Sequence, residues 1–321
     1  MSTFRLRSRE MASHLEISLS RLRRGLSAVE LVHTSHEHWP LPRHPVSGEG
    51  LNISVLDSSF NPPTLAHLAL ANTPFPHSFR STSPHTDTFH AKLLLLSVRN
   101  VDKSLKPSDA TYAQRLEMMI SLAKEVATGG PSTLGSEDRE DKIEDSLDTS
   151  NVAVGIIDQP TFVGKSQVLL NFLRERVEAL SNTRSSGMNF PTEPKLTFLV
   201  GMDTLERLFA PRYYSSEQTM KHSLREFFTS KDGGCRVICG RRSTSGSEAK
   251  DQEEERRAIA LAKDYIDSSH IALVDLGESL RTISSSEVRR RITSKDPSWS
   301  SMITPSIAEY ITQHDLYSHI S

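Results

Sequence analysis

Six short stretches of the chain are apolar almost throughout: "ISVLD", "LLLLSV", "VAVGIID", "KLTFLVG", "CRVICG" and "IALVDL". They are rich in β-branched and large aliphatic residues and do not alternate with polar positions. Strands covered on both faces, as in a parallel sheet, have this pattern. Between them lie segments with a helical period. In "DATYAQRLEMMISLAKEVA", Tyr112, Leu116, Met119 and Ile120 fall on one stripe, with Gln114, Arg115 and Glu117 turned away. "SQVLLNFLRERVEAL", "DQEEERRAIALAKDYI" and "SSEVRRRI" continue the alternation. Strand followed by helix, repeated, predicts an α/β fold: a doubly wound, mainly parallel sheet with helices on both faces.

Two stretches interrupt the alternation. Residues 128–151, "TGGPSTLGSEDREDKIEDSLDTSN", are acidic and rich in Gly, Ser and Asp, which predicts a mobile surface insertion. "ALSNTRSSGMNFPTEP" reads as a shorter loop of the same character. No internal repeat is present. The arginine-rich, helix-periodic start, "MSTFRLRSREMASHLEISLSRLRRGLSAVELV", raises the question of a transit peptide. Glu10, Glu16 and Glu30 argue against one, because transit peptides avoid acids. The expected organisation is a helical extension over 1–50 and one domain over 51–321 carrying the insertion.

Composition narrows the partners. The chain has 321 residues, 24% of them charged, with a formal net charge of −2. No global field announces a nucleic acid or an acidic membrane as partner, and no apolar run approaches the roughly 20 residues that cross a bilayer. The only cysteines, Cys235 and Cys239, stand four apart on an expected strand. There they face the same way roughly 13 Å apart, too far for a disulfide. Two unbridged thiols point to a reducing compartment, cytosolic or nuclear.

Several motifs offer chemistry. "GKS" at Gly164–Ser166 follows a strand and opens a helix, but a phosphate-binding P-loop needs glycine at position 159, which is Gln159. "HTSHEH" brings His33, His36 and His38 together without a fourth ligand at a standard spacing, and reads as a solvated loop. "LDSSFNPPTLAH" is more suggestive. Pro62 and Pro63 suit the approach to a helix, Thr64 is a natural N-cap, and His67 falls at the third helical position. Unpaired amides and partial positive charge at a helix start attract phosphate, and Thr64 and His67 lie on one face.

A second helix start has the same character. In "RTISSSEVRRRI", Ser284 and Glu287 form a capping box, Ser285 and Ser286 add hydroxyls, and Arg289 lies on the next turn of the same side. Hydroxyls plus a guanidinium at a helix N-terminus make a polyphosphate clamp. "FLVGMDTLERL" ends a strand in Gly201 and begins a helix at Asp203. A carboxylate at that end of an open α/β sheet commonly holds ribose hydroxyls. "APRYYSSE" then supplies Tyr213 and Tyr214, flat rings suited to stacking on a base.

In this order the segments resemble the eukaryotic nicotinamide mononucleotide (NMN) adenylyltransferases of the nucleotidylyltransferase superfamily. "SSFNPPTLAH" resembles their G-S-F-N-P-x-T-x-x-H segment, "LVGMDTLERLFAPRYYSSE" their G-A-D-L-L-E-S-F-x-x-P-x-L-W segment, and "ISSSEVRR" their I-S-S-T-x-x-R-R. The terminus "ITPSIAEYITQHDLY" is similar to V-P-x-x-V-x-E-Y-I-x-x-H-x-L-Y, and "LDSSFNPP" with "NVDKSLKP" looks like a divergent fungal branch. The likeness runs with gaps from about Leu51 to the end.

The resemblance implies a Rossmann-like fold and an enzyme that joins ATP to NMN, or to nicotinate mononucleotide, giving the dinucleotide and pyrophosphate. It implies catalytic roles for His67 and Arg289, and a phosphate and ATP site from Ser59, Phe60, Asn61, Thr64, His67, Ser284, Ser285, Ser286 and Arg289. Lys103 or Lys106 would add a cation. Gly201, Asp203, Tyr214 and Phe162 would serve the nucleotide ribose and base. Mg²⁺ would ride on the phosphates, without a carboxylate cage of its own. Ser58 stands where the family has glycine, crowding the backbone where phosphate approaches. Thr64 and Ala66 replace the first histidine and the glycine of the wider superfamily's H-x-G-H. Two other readings remain open: a cytidylyltransferase on the same scaffold, and a nucleotide-binding or ATP-hydrolysing regulator that has lost efficient transfer.

Overall fold

The computed structural model describes residues 2–43, 50–79, 88–99, 108–127, 151–183, 192–229, 234–241, 249–280 and 282–318. The sequence-predicted acidic insertion therefore lies almost wholly outside the described residues, as do Lys103 and Lys106.

Seven strands form one sheet in the order β1-β4-β3-β2-β5-β6-β7. They are β1 (Val29–Thr34), β2 (Leu51–Asp57), β3 (Ala91–Ser97), β4 (Val152–Ile157), β5 (Pro194–Gly201), β6 (Arg236–Arg241) and β7 (Ile271–Asp275). The last six are mutually parallel, and they are the six apolar runs of the sequence. The two faces are filled by alternating residues, as the two-residue period of a strand requires. Leu51, Ile53 and Val55 of β2 join Leu93, Leu95, Phe198, Val200, Val237 and Cys239 in one core. Leu56 joins Leu94, Leu96, Val154, Ile156, Leu199 and Ile238 in the other. The fold is α/β, doubly wound and mainly parallel.

β1 adds a strand to the segment 1–50, which the sequence reads as a helical extension with a solvated loop at 33–38. It pairs antiparallel with β4 at the edge of the sheet, from Val29 opposite Ile157 to Thr34 opposite Ala153. His33 lies on this strand and so is not part of a solvated loop. Burial and the nearby Lys124 hold its imidazole below the ordinary histidine range. The preceding helix, α1 (Ser2–Arg23), ends in a Schellman motif. Gly25 sits at φ 69° and donates to Leu22, while Leu26 donates to Arg21. The helix lays Leu15, Leu19 and Leu22 into the same core as Leu56.

The remaining helices are α2 (Leu65–Ala71), α3 (Tyr112–Ala127), α4 (Phe162–Thr183), α5 (Met202–Leu208), α6 (Glu217–Thr229), α7 (Ala249–Asp267), α8 (Ser285–Thr293) and α9 (Pro305–Gln313). Residues 179–183, read from the sequence as the start of a loop, are the last turn of α4. On α3, Arg115 faces inward, not outward as its helical phase suggests: only 6% of it is exposed. Its guanidinium donates to Ala110 O at 2.9 Å and Ser59 O at 3.4 Å, and lies 3.5 Å from Asp109. Specific acceptors outweigh the amphipathic pattern at this position. Among the described residues, no helix is long and apolar enough to cross a membrane.

Candidate active site

β2 occupies the centre of the sheet with β3 on one side and β5 on the other, so successive connections leave it in opposite directions. This is the switch point at which open α/β sheets hold ligands, outside the carboxyl ends of the strands. Ser58–Thr64 leave β2 at that point, and Gly201–Asp203 leave the neighbouring β5.

Thr64 is the N-cap of α2, as expected, and its side chain is fully buried. It serves His67. The Thr64 backbone N–H donates to His67 Nδ1 at 3.1 Å, and Thr64 Oγ1 lies 2.8 Å from the same nitrogen. A backbone N–H can only donate, so Nδ1 is an acceptor and the proton of the neutral ring sits on Nε2. Nε2 in turn lies 2.9 Å from Ser58 Oγ. The imidazole is half-buried and packs against Phe60, with ring centroids 5.1 Å apart.

Phe60 and Asn61 beside this arrangement are both buried. Phe60 is fully buried, with its backbone in the left-handed region at φ 44°, an uncommon conformation for a bulky side chain. Asn61 donates to Asp109 Oδ1 at 2.7 Å and accepts from Ala110 N at 3.3 Å and Tyr317 OH at 2.9 Å. That network ties the C-terminal Tyr317 and the start of α3 to the loop. Burial pushes the Tyr317 phenol well above its ordinary range. Ser59 is half-buried, and its carbonyl accepts from Arg115.

The second helix start reaches this same loop. Ser285, the first residue of α8, donates its hydroxyl to Pro62 O at 2.7 Å, which makes it a tether between the two helix starts. Arg289 donates to Asn61 O at 2.5 Å and to Ser286 Oγ at 3.4 Å, with its Nε 3.9 Å from Asp109. Residues more than 220 positions apart in sequence thus meet at one rim of the sheet. Only half of the expected capping box forms: Ser284 Oγ accepts from Glu287 N at 3.1 Å. The Glu287 carboxylate instead takes Arg290 and Arg291, whose hydrogen bonds pull its pKa down to about 2.

On β5's side, the helix begins at Met202 with Gly201 as N-cap, so Asp203 is at the second helical position and does not cap. It is exposed. Tyr214 packs half-buried against the sheet core and donates to Leu208 O at 3.0 Å; burial pushes its pKa up to about 12. Phe162 opens α4, edge-on to Phe198 at 5.6 Å.

The "GKS" lysine has a structural role. Lys165 is buried and pairs with Asp57, the last residue of β2, at 2.5 Å. A Cβ on Gly164 would come within 2.8 Å of the Gln159 side chain, which is what glycine relieves here. Sequence reasoning did not foresee Asp57, Asp109, Arg115 or Tyr317.

No protein-family profile matches the chain. Over 202 residues it is 28% identical to a Schizosaccharomyces pombe protein named "Putative nicotinamide mononucleotide adenylyltransferase". The match covers 63% of this chain and 58% of that protein, so the chain spans less than two thirds of its relative's length. Among solved structures it is similar to a Plasmodium falciparum nicotinic acid mononucleotide adenylyltransferase complexed with APC. There the TM-score is 0.42 at 14% identity, over 83% of this chain and 96% of the other.

Proposed function

We propose that this chain transfers the adenylyl group of ATP to nicotinamide mononucleotide, or to its nicotinate counterpart, giving the dinucleotide and pyrophosphate. The observation that carries the reading is the meeting of Arg289 and the first turn of α8 with the loop that leads into His67, at the switch point of the sheet. The name of the curated relative points to the same reaction.

In this reading a 5′-phosphate oxygen of the mononucleotide attacks the α-phosphorus of ATP in line. The bond from that phosphorus to the β-phosphate's bridging oxygen breaks, and pyrophosphate leaves with the electron pair. No protein nucleophile is required; the protein positions the two phosphates and stabilises charge. His67 presents Nε2–H to the phosphates. Arg289 and Ser286 bind the β- and γ-phosphates beside the N-terminal amides of α8. Asp203 takes a ribose, and the ring faces of Tyr214 and Phe162 flank the base-binding side. Lys103 or Lys106, both outside the described residues, is the candidate for a further cation. Mg²⁺ enters with ATP as part of the substrate. The neighbouring carboxylates support this role, since Asp57 is held by Lys165, and Asp109 by Asn61 and Arg115. Two buried, unbridged thiols support a reducing compartment.

The test is a product assay. The full chain is incubated with Mg²⁺ and either ATP or CTP, plus nicotinamide or nicotinate mononucleotide, and products are separated by anion exchange. Dinucleotide and stoichiometric pyrophosphate from ATP are expected. Product only from CTP, or ATP binding with no dinucleotide from either mononucleotide, would overturn the proposal.

A further inference from the structure

Ser58 occupies the position where the family segment carries glycine, and its hydroxyl is engaged with the Nε2 edge of the His67 imidazole. Three observations fix the geometry. The Thr64 N–H donates to His67 Nδ1, which puts the ring proton on Nε2. Ser58 Oγ stands 2.9 Å from Nε2 and is therefore the acceptor. Ser58 is itself anchored, its N–H donating to Leu95 O on the adjacent strand at 3.3 Å. The imidazole is thus held at both nitrogens and braced on a third side by the Phe60 ring. A glycine at position 58 would leave the Thr64 bond in place but remove the oxygen that fixes the Nε2 edge.

We propose that Ser58 is a positioning residue for His67: it accepts the Nε2 proton in the nucleotide-free protein and keeps that donor aimed at the rim where Arg289 meets the loop. When a phosphate oxygen arrives, the Nε2–H hydrogen bond passes from Ser58 Oγ to the phosphate. The proton stays on Nε2 throughout, and only its acceptor changes. This inference rests on the adenylyl-transfer reading, in which His67 faces the phosphates. It turns the departure at position 58 from a source of crowding into a means of holding the ring.

The experiment uses the full chain labelled with ¹⁵N-histidine, as wild type and as Ser58→Ala, Ser58→Gly and Ser58→Thr. Ring spectra are recorded with and without magnesium pyrophosphate, and kcat and KM are measured in parallel. In the wild type, His67 should be the Nε2–H tautomer, with that proton shifting when pyrophosphate is added. In Ser58→Ala the Nε2 proton should exchange with water about tenfold faster. Turnover should fall about three- to tenfold, the loss expected of one neutral hydrogen bond. KM for the mononucleotide should hold, and Ser58→Thr should restore both readouts. Ser58→Gly removes the same oxygen with a freer backbone, and replaces Ser58→Ala as the probe should the alanine variant fail to fold. Unchanged exchange and turnover without the hydroxyl would overturn the inference, as would faster turnover or a wild-type ring protonated only at Nδ1. Should the wild-type chain make no dinucleotide, the adenylyl-transfer reading fails, while the ring spectrum still decides the Ser58 contact.

Discussion

Replacing Asn61 with alanine tests whether the loop after β2 is held from below. The Asn61 side chain is 4% exposed and makes three hydrogen bonds, to Asp109, to the Ala110 N–H and to Tyr317. Removing it orphans the Ala110 amide and the Tyr317 hydroxyl, in a place where Tyr317 is 6% exposed. Asp109 keeps Arg115 at 3.5 Å and Arg289 at 3.9 Å, so it is weakened but not stranded. Each orphaned buried group costs about 1–3 kcal/mol, which puts the expected loss near 4 kcal/mol. Urea unfolding with linear extrapolation measures it. Tyr317→Phe alone should cost only about 1 kcal/mol, since it takes one donor from Asn61 Oδ1 and leaves Ala110 bonded. The double variant should fall short of the sum, because the two share one bond. A loss below about 1 kcal/mol in Asn61→Ala, or strict additivity with Tyr317→Phe, would refute the reasoning.

His67→Ala should cut dinucleotide synthesis by about 10²–10³-fold with the circular-dichroism spectrum preserved, as loss of one charge-stabilising donor does. Lys165→Met leaves Asp57 buried and unpaired and should destabilise by about 3–5 kcal/mol in denaturant titration; adding Asp57→Asn should recover part of it. Glu287 titrates near 2 in the folded chain against 4.5 ordinarily. A depressed carboxylate contributes stability above about pH 4.5 and loses it as pH falls toward 2, so the wild type should show an acid-side decline there that Glu287→Gln lacks. The decline should shrink at high salt, because the pair with Arg290 is largely solvent-facing.

How much of this was readable in the chain varies by element. The six parallel strands were, because burial on both faces leaves uninterrupted apolar runs such as "LLLL" in β3. β1 was not: it is a half-exposed edge strand directly after a helix, so its residues carry neither a full apolar run nor a clean alternation. Gly25, which ends α1, was the available signal for a change of element. At the site, both helix starts were legible from capping residues. What could not be read was which polar groups serve the ligand and which serve the fold. Asn61, Thr64 and Ser285 look like ligand donors in the motif, yet each is committed to a protein partner. For Asn61 those partners stand 48 and 256 positions away, and for Ser285 the partner stands 223 positions away. Local spacing carries no trace of such contacts. Nor could the partner of Lys165 be read: the missing glycine at 159 argues against phosphate, but nothing local points to Asp57, 108 residues upstream.

The account depends on one triphosphate being held jointly by the His67 loop and the first turn of α8. A crystal structure of the full chain with Mg²⁺ and a non-hydrolysable ATP analogue tests this most directly. The account predicts phosphate oxygens within hydrogen-bonding reach of both His67 Nε2 and the Arg289 guanidinium, at the carboxyl ends of β2 and β5. Phosphates bound at the opposite edge of the sheet, or touching only one of those two groups, would contradict it.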